Sequence, residues 1–590
     1  MLTTKELFIV SVICLFLTIN FCHAKSGEND SKQNKIVNGE IGTKIDEYMS
    51  RLENLGFSGA LLVAKDDEII LAKGYGLADR ERNIPVTTET VFTIGSITKQ
   101  FTGAAILKLE MEGKLSVQDP INKYFENVPE DKAGITIHHL LTHSAGLKEN
   151  YGSSDFEPVS RDEIVRRVLN AELLWKPGTQ YKYSNAGYSL LGAIIEIVTG
   201  ESYEEYLNQV LFKPAGMFKT GYKLPSWNQD DIAQGYHNGK KWGTVLDRPW
   251  AEDGPYWNLR ANGGIHSTIG DLYKWHLALE GKKILSKEAK QKLFTAHSKE
   301  GAGADSYYGY GWAIFKTQRG TKLIAHNGGN GIFAADFRRY VDENAVIIIA
   351  SSGEMSAIRE SNNVARILFG MDYTLPPKVS KIDEKTLLSY AGDYELNSGE
   401  RLHVTVKNGQ LEVMGKGEKL LRLLMSGTTS TSQISKMLNE RTKMIIENAR
   451  HDNYEPLYEA LGGEVPMAEI KEMDKNFWMQ QEQTYGNYKD FEVVGSYPGD
   501  FGGVTLTKIN FEHGTTYLKF SWEGGAIAEF EVLSSFPTIS FVAVNEQGFI
   551  PSNFQSSSHT KLNFQATDDS GVTGLRIQGK DGEVTAQKVQ

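Results

Sequence analysis

The chain has 590 residues, with 63 Lys and Arg against 74 Asp and Glu, a formal net charge of −11. Hydrophobic residues at 40% and charged residues at 23% fit folded globular domains and exclude disordered, collagenous and coiled-coil classes. The acidic balance, with no basic stripe or Arg-rich tail, speaks against nucleic acid as a partner.

Lys5 precedes an apolar run from Leu7 to Phe21, followed by Cys22-His23-Ala24 and a polar stretch from Lys25 to Glu40. This order predicts a secretory signal peptide over 1–24, cleaved after Ala24, and export to the periplasm or the extracellular space. An uncleaved anchor helix is the alternative, although the run is short for a span of about 20 residues. Both cysteines, Cys14 and Cys22, fall in this segment. Disulfides, thiolate metal sites and a cysteine nucleophile are therefore not expected in the mature chain.

A first large block, 36–373, alternates strand-like runs with amphipathic helices. Gly59–Val63 and Ile69–Ala72 flank Asp66-Asp67 as an early hairpin. Helices are predicted from Ser96 to Glu112 and from Ser184 to Thr199, stopped by Gly113 and Gly200. Ser202-x-x-Glu205 is a capping-box signature. Thr321–Ala325 and Ala345–Ala350 read as a closing strand pair. The polar stretch 374–385, with Pro376-Pro377, reads as a linker.

Beyond it the pattern changes to short strands. Leu402, Val404 and Val406 alternate, Asn408-Gly409 turns the chain, and Leu411 and Val413 alternate again, a strong hairpin signal. The period turns helical from about Ser432 to Leu461. Strands then resume at Glu492–Tyr497, Val504–Ile509, Thr516–Trp522, Ala526–Val532, Lys561–Gln565 and Gly571–Ile577.

Three short constellations carry chemistry. Ser96-Ile97-Thr98-Lys99 sits where a turn enters an apolar helix, and residues three apart share a helix face. The lysine would lie over a hydroxyl that needs a base before it becomes a nucleophile, close to free N–H groups that could hold an oxyanion. Tyr183-Ser184-Asn185 follows the turn Trp175-Lys176-Pro177-Gly178. A phenol beside a lysine can move protons, and the amide can orient both lysine and substrate. His326-Asn327-Gly328-Gly329 ends a predicted strand, where glycines permit close approach of a ligand. Each alone reads equally as a helix cap or a turn. His139 and His143 are spaced like a metal pair, but no Glu follows His139, and no metal site is expected. No Gly-x-Ser-x-Gly elbow, phosphate-binding loop or dinucleotide fingerprint occurs.

Together these pieces resemble the serine β-lactamase and penicillin-recognising hydrolase superfamily. The likeness is to the class C β-lactamase-like group, which also holds D-Ala-D-Ala carboxypeptidases, D-aminopeptidases and esterases. The flanks Phe57-Ser58-Gly59-Ala60, Phe92-Thr93-Ile94-Gly95, Ile135–Leu147, Gly263–Thr268 with Asp271-Leu272, and Tyr308-Gly309-Tyr310-Gly311-Trp312 carry it across about residues 45–370. The resemblance implies an α/β (α+β) β-lactamase/transpeptidase-like domain, an antiparallel sheet flanked by helices. It implies Ser96 as nucleophile, Lys99 and Tyr183 as proton carriers, and Asn185, His326, Asn327 and Gly328 as substrate-binding residues. The backbone N–H groups of Ser96 and Gly329 would form the oxyanion hole, and no cofactor is implied. His326 stands where class C β-lactamases have lysine, as in the carboxypeptidases, aminopeptidases and related hydrolases of the group.

The expected function is an exported serine hydrolase acting on D-amino-acid-containing peptides or related amides. A carboxylesterase of the same superfamily and a catalytically weak ligand-binding protein are the alternatives. The partner is a small-molecule or peptide substrate, with no nucleic acid and no membrane span after signal cleavage. Beyond the linker, Tyr390–Leu396 and the Asn408-Gly409 hairpin resemble the start of an appended lipocalin-like β-barrel, and Lys561–Phe564 with Gly571–Leu575 its last strands. This predicts a β-rich barrel-like region over 386–430 and 538–590, with an inserted α+β module at 431–537. Two sequential small β domains are the other possibility.

Overall fold

The computed structural model describes residues 35–589, apart from 238–239, 302, 354, 464, 500–501, 553–559 and 568–570. The leader segment 1–24 lies outside the described residues.

The first block is built on a nine-stranded antiparallel sheet. Its centre pairs Gly59–Lys65 with Glu68–Tyr75 on one side and with Ala345–Ser352 on the other. The hairpin turns at Asp66 and Asp67, both at positive φ. Beyond Ala345–Ser352, the strands Phe333–Tyr340, Lys322–Gly329, Ala313–Lys316, Ser306–Tyr308 and Ser298–Lys299 follow in order, and Ile36–Val37 pairs with Glu68–Tyr75 at the opposite edge. The strand pair expected between Thr321–Ala325 and Ala345–Ala350 is therefore not a pair. Phe333–Tyr340 runs between them and bonds to both. Asp336, Arg338 and Arg339 hide this strand from an apolar pattern; Asp336 and Arg338 pair at 2.6 Å and are both buried.

Strand alternation gives the sheet two faces. Leu61, Val63, Ile347 and Ile349 pack against the helices Gly39–Glu53 and Ala357–Leu368. Ala60, Leu62, Ile324 and Ile348 face the larger helical core. The apolar helix Thr98–Met111 runs through that core, with Phe101, Ala104, Ala105 and Leu107 fully buried. Beside it lies Asn185–Thr199, capped by the Ser184 hydroxyl and stopped by Gly200 in the left-handed region. The predicted Ser202–Glu205 capping box is present.

Beyond the linker, eight strands form a closed antiparallel barrel: three between Gly392 and Lys416 and five between Ile539 and Lys588. Leu402, Val404, Leu411, Val413, Leu562 and Ile577 fill its interior. The Gly571–Gln578 strand is not the last. Glu583–Lys588 follows, puts only Val584 and Ala586 inward, and pairs with Gly392–Leu396 to close the barrel. Between the two groups of barrel strands the chain forms helices and a separate four-stranded antiparallel sheet over Tyr488–Leu533, with its own core of Leu438, Ile445, Trp478, Ile509, Phe520 and Trp522. The helical stretch does not end at Leu461; Met467–Tyr485 adds a 19-residue helix.

Two glycines bring the sheet against the turn that precedes the Thr98–Met111 helix. Gly95 has φ +50°, and a Cβ on it would sit 2.4 Å from the nitrogen of Gly329. A Cβ on Gly328 would fall 2.0 Å from the Ile94 carbonyl oxygen and 2.6 Å from the Ser96 nitrogen. The two backbones touch, so no side chain larger than hydrogen fits. Gly328→Ala should therefore destabilise the protein by about 1–3 kcal/mol, as overpacking does in cores, read as an earlier urea unfolding midpoint.

Candidate active site

Ser96 sits in a single 3₁₀ turn, Gly95–Ile97, that leads into the buried helix. The turn is held from outside by Ile94 N–H donating to the Ile265 carbonyl at 2.9 Å, and by pairing of Phe92-Thr93 with His266-Ser267. One helical turn on, Lys99 is completely buried. Its ammonium donates to Ser96 Oγ at 3.1 Å, Asn185 Oδ1 at 2.8 Å and the Asn262 carbonyl at 2.8 Å. Three donors thus meet three acceptors, and none of the acceptors is charged. Burial without a touching carboxylate pushes the ammonium down to about 7; Glu149 and Asp155, farther off, oppose the shift.

Asn185 is the first residue of its helix, so its side chain points out beyond the helix start. While its Oδ1 faces Lys99, its Nδ2 donates to Asn150 Oδ1 at 3.1 Å. Asn262 is fixed in turn by its own amide, which donates to Ser189 Oγ and to the Asn258 carbonyl.

Tyr183 lies two residues before that helix, and the Lys99 ammonium stands 4.7 Å from its ring centroid. Burial raises the phenol well above its ordinary range, with only the neighbouring Ser96 hydroxyl acting the other way. The phenol therefore rests protonated.

His326 is buried on the sheet face that carries Gly328 and Ile324. Its Nδ1 lies 2.6 Å from the Asn327 carbonyl and so carries the proton; its Nε2 then accepts from the Tyr308 hydroxyl at 2.7 Å. The phenol it binds is Tyr308, with Tyr183 farther away at 6.4 Å between ring centroids. Burial first, then the Lys99 charge, push this imidazole down to about 3, so it is neutral at ordinary pH.

Asn327 lines the same cleft as Ser96 and His326. It alternates with His326 and Gly328, so its side chain leaves the opposite sheet face, beside its register partner Asp336. Its carbonyl accepts from His326 Nδ1 and orients that ring. The backbone of Gly328 and Gly329 lies against Gly95 and Ser96.

The Ala313–Lys316 strand stops opposite Ala325. Residues 326–329 therefore leave one backbone edge unpaired by it. A cleft of about 1200 Å³ wraps around this edge, lined by Ser96, Tyr183, Tyr308 and His326 and reaching Arg319. On another side of Ser96 lies a compartment of about 60 Å³, lined by Asp155, Phe156, Asn185, Val245 and Leu259.

Three residues of the site escape motif reading. Tyr308 belongs to the aromatic-glycine stretch 308–312, and its partner His326 could not be named from spacing. His143 sits in the long 135–147 stretch at φ +56°, its ring centroid 4.3 Å from that of Tyr183. The Ser184 N–H donates to its Nδ1 at 3.0 Å, so this imidazole is neutral and presents Nε2–H. His139 accepts the Thr136 N–H through Nδ1. Asp155 lies in a loop with no sequence signal at all. Among the described residues, no group of three or more His, Cys, Asp or Glu is arranged to hold a metal ion.

A buried lysine over a serine, a protonated phenol and a glycine backbone pressed against the serine N–H define a serine hydrolase site. The beta-lactamase family model matches residues 45–370, and the chain belongs to this family. Penicillin-binding protein 4* of Bacillus subtilis (strain 168) is 28% identical over 396 residues, 63% of this chain and 87% of that protein. Putative penicillin-binding protein PbpX of the same strain is 30% identical over 331 residues, 52% and 81% of the two chains. Among solved structures, the octameric penicillin-binding protein homologue from Pyrococcus abyssi aligns with a TM-score of 0.52 at 21% identity, covering 93% of this chain and all of that one. A D-amino acid amidase from Ochrobactrum anthropi SV3 complexed with L-phenylalanine aligns with a TM-score of 0.50 at 22% identity, over 56% of this chain and 99% of that one. Both structural likenesses concern the fold.

The Tyr308–His326 bond supports one direct expectation. Tyr308→Phe leaves a buried imidazole nitrogen without its donor and should cost about 1–3 kcal/mol, measured by urea unfolding.

Proposed function

We propose that the protein is an exported hydrolase that cleaves D-amino-acid-containing peptides or related amides through an acyl-enzyme on Ser96. The observation that carries this reading is the placement of Lys99. In its neutral form the amine keeps two N–H bonds to Asn185 Oδ1 and the Asn262 carbonyl and turns its lone pair to the Ser96 hydroxyl. It takes the Ser96 proton as Oγ attacks the carbonyl carbon. The N–H groups of Ser96 and Gly329 stabilise the oxyanion. Tyr183, protonated at rest, gives its proton to the departing amine and recovers one from Lys99. Water then adds to the acyl carbon, the carboxylic acid leaves, and Ser96 regains its proton.

The open edge at 326–329 favours an extended peptide, which can pair there as an added strand. The relatives named for penicillin binding and the fold neighbour named for D-amino acid amides agree with this substrate class. Export rests on the sequence of residues 1–24. No helix among the described residues is long and apolar enough to cross a membrane.

A fluorophosphonate or a labelled penicillin should attach to Ser96, located by peptide mass spectrometry, and fail with Ser96→Ala. Lys99→Ala and Tyr183→Phe should each slow acylation by about 10²–10⁴-fold. Unchanged rates in both would refute these roles. The proposed pH dependence follows from the base. Lys99 acts only when neutral, so kcat/KM for a neutral ester should rise with pH through about 7 and level off above it. His326, held near 3, should add no limb near the usual histidine range.

A further inference from the structure

We propose that Asp155 binds the α-ammonium group of the substrate, so that the enzyme removes or releases a small residue with a free amino end. This rests on the hydrolase reading above and names its substrate more closely.

The site has two unequal sides. Tyr183 lines the wide cleft and is absent from the lining of the small compartment. The group that protonates the leaving amine must face that amine, so the leaving portion occupies the cleft. The acyl portion is then left with the compartment of about 60 Å³. That space suits a short side chain and one small polar group.

Its polar wall is acidic. Asp155 lines the compartment together with Ser96. No hydrogen bond or ion pair among the described residues engages its carboxylate. Burial nudges this carboxyl upward, and the nearest opposing charge is the ammonium of Lys99, which is itself half neutral near pH 7. No Lys or Arg lines the compartment. A substrate carboxylate would therefore meet a carboxylate there, while an ammonium would give Asp155 the partner it lacks and relieve its desolvation. Glu149, an acceptor 3.4 Å from Asn185 Nδ2, adds a second carboxylate close to Asn185. On the cleft side His326 is neutral with both ring nitrogens engaged, by the Asn327 carbonyl and the Tyr308 hydroxyl, so it offers no charge to a distant carboxylate.

The test compares D-alanyl-p-nitroanilide with N-acetyl-D-alanyl-p-nitroanilide. The wild-type protein should hydrolyse the free amine with a kcat/KM about tenfold or more above that of the acetylated compound, and Asp155→Asn should bring the ratio close to unity. Fluorophosphonate labelling of Ser96 in the variant reports that it is folded. If wild-type Ser96 is labelled but the free amine is not preferred, or if Asp155→Asn keeps the preference, the amine subsite is overturned and the hydrolase reading stands. If wild-type Ser96 is not labelled and neither anilide is cleaved, the hydrolase reading itself fails, and this proposal falls with it.

Discussion

Everything in the site depends on placing one ammonium where water cannot reach it. A lysine in bulk water would be protonated at neutral pH and useless as a base. Here the helix Thr98–Met111 carries Lys99 into a core that contains Phe101, Ala104 and Leu107. Three neutral acceptors hold the nitrogen in place without stabilising its charge as a carboxylate would. Each acceptor comes from a different segment, so the geometry exists only once the helical core has closed. The same burial lifts the Tyr183 phenol and depresses His326. One low-dielectric environment thus sets the base, the acid and the neutral imidazole together.

Much of this arrangement is legible in the amino-acid order because it is local. Ser96 and Lys99 are one helical turn apart, and Tyr183 with Asn185 flank a single cap. What is not legible is whatever depends on neighbours distant in sequence. The bond between Tyr308 and His326 needs the sheet register. Asn327 belongs to the motif, but that the pleat sets its side chain on the face opposite to those of His326 and Gly328 follows only from the sheet register. Asp155 is set by a loop whose path no periodicity describes.

The errors in the fold have similar causes. Phe333–Tyr340 carries an aspartate and two arginines, and only their pairing inside the structure makes the strand possible. Met467–Tyr485 buries little beyond Ile470 and Trp478, so its helical period is faint. Glu583–Lys588 shows just two small inward residues among charges. In each case the apolar signal is weak because neighbouring elements, rather than the segment itself, supply the stabilisation.

The barrel's strand order also constrains how the chain acquires its shape. Gln410–Lys416 bonds to Ile539–Ala543, while Gly392–Leu396 bonds to Glu583–Lys588. During synthesis the first three staves therefore emerge with both outer edges bare. They wait through the whole helical and four-stranded stretch before either edge is covered. Joining ends across so long a flexible loop would be slow and entropically costly. If the intervening stretch collapses onto its own core of Leu438, Trp478 and Trp522 first, it becomes a short rigid tether, and the last staves arrive already near their mates. In that case assembly of this half would run from the middle outward.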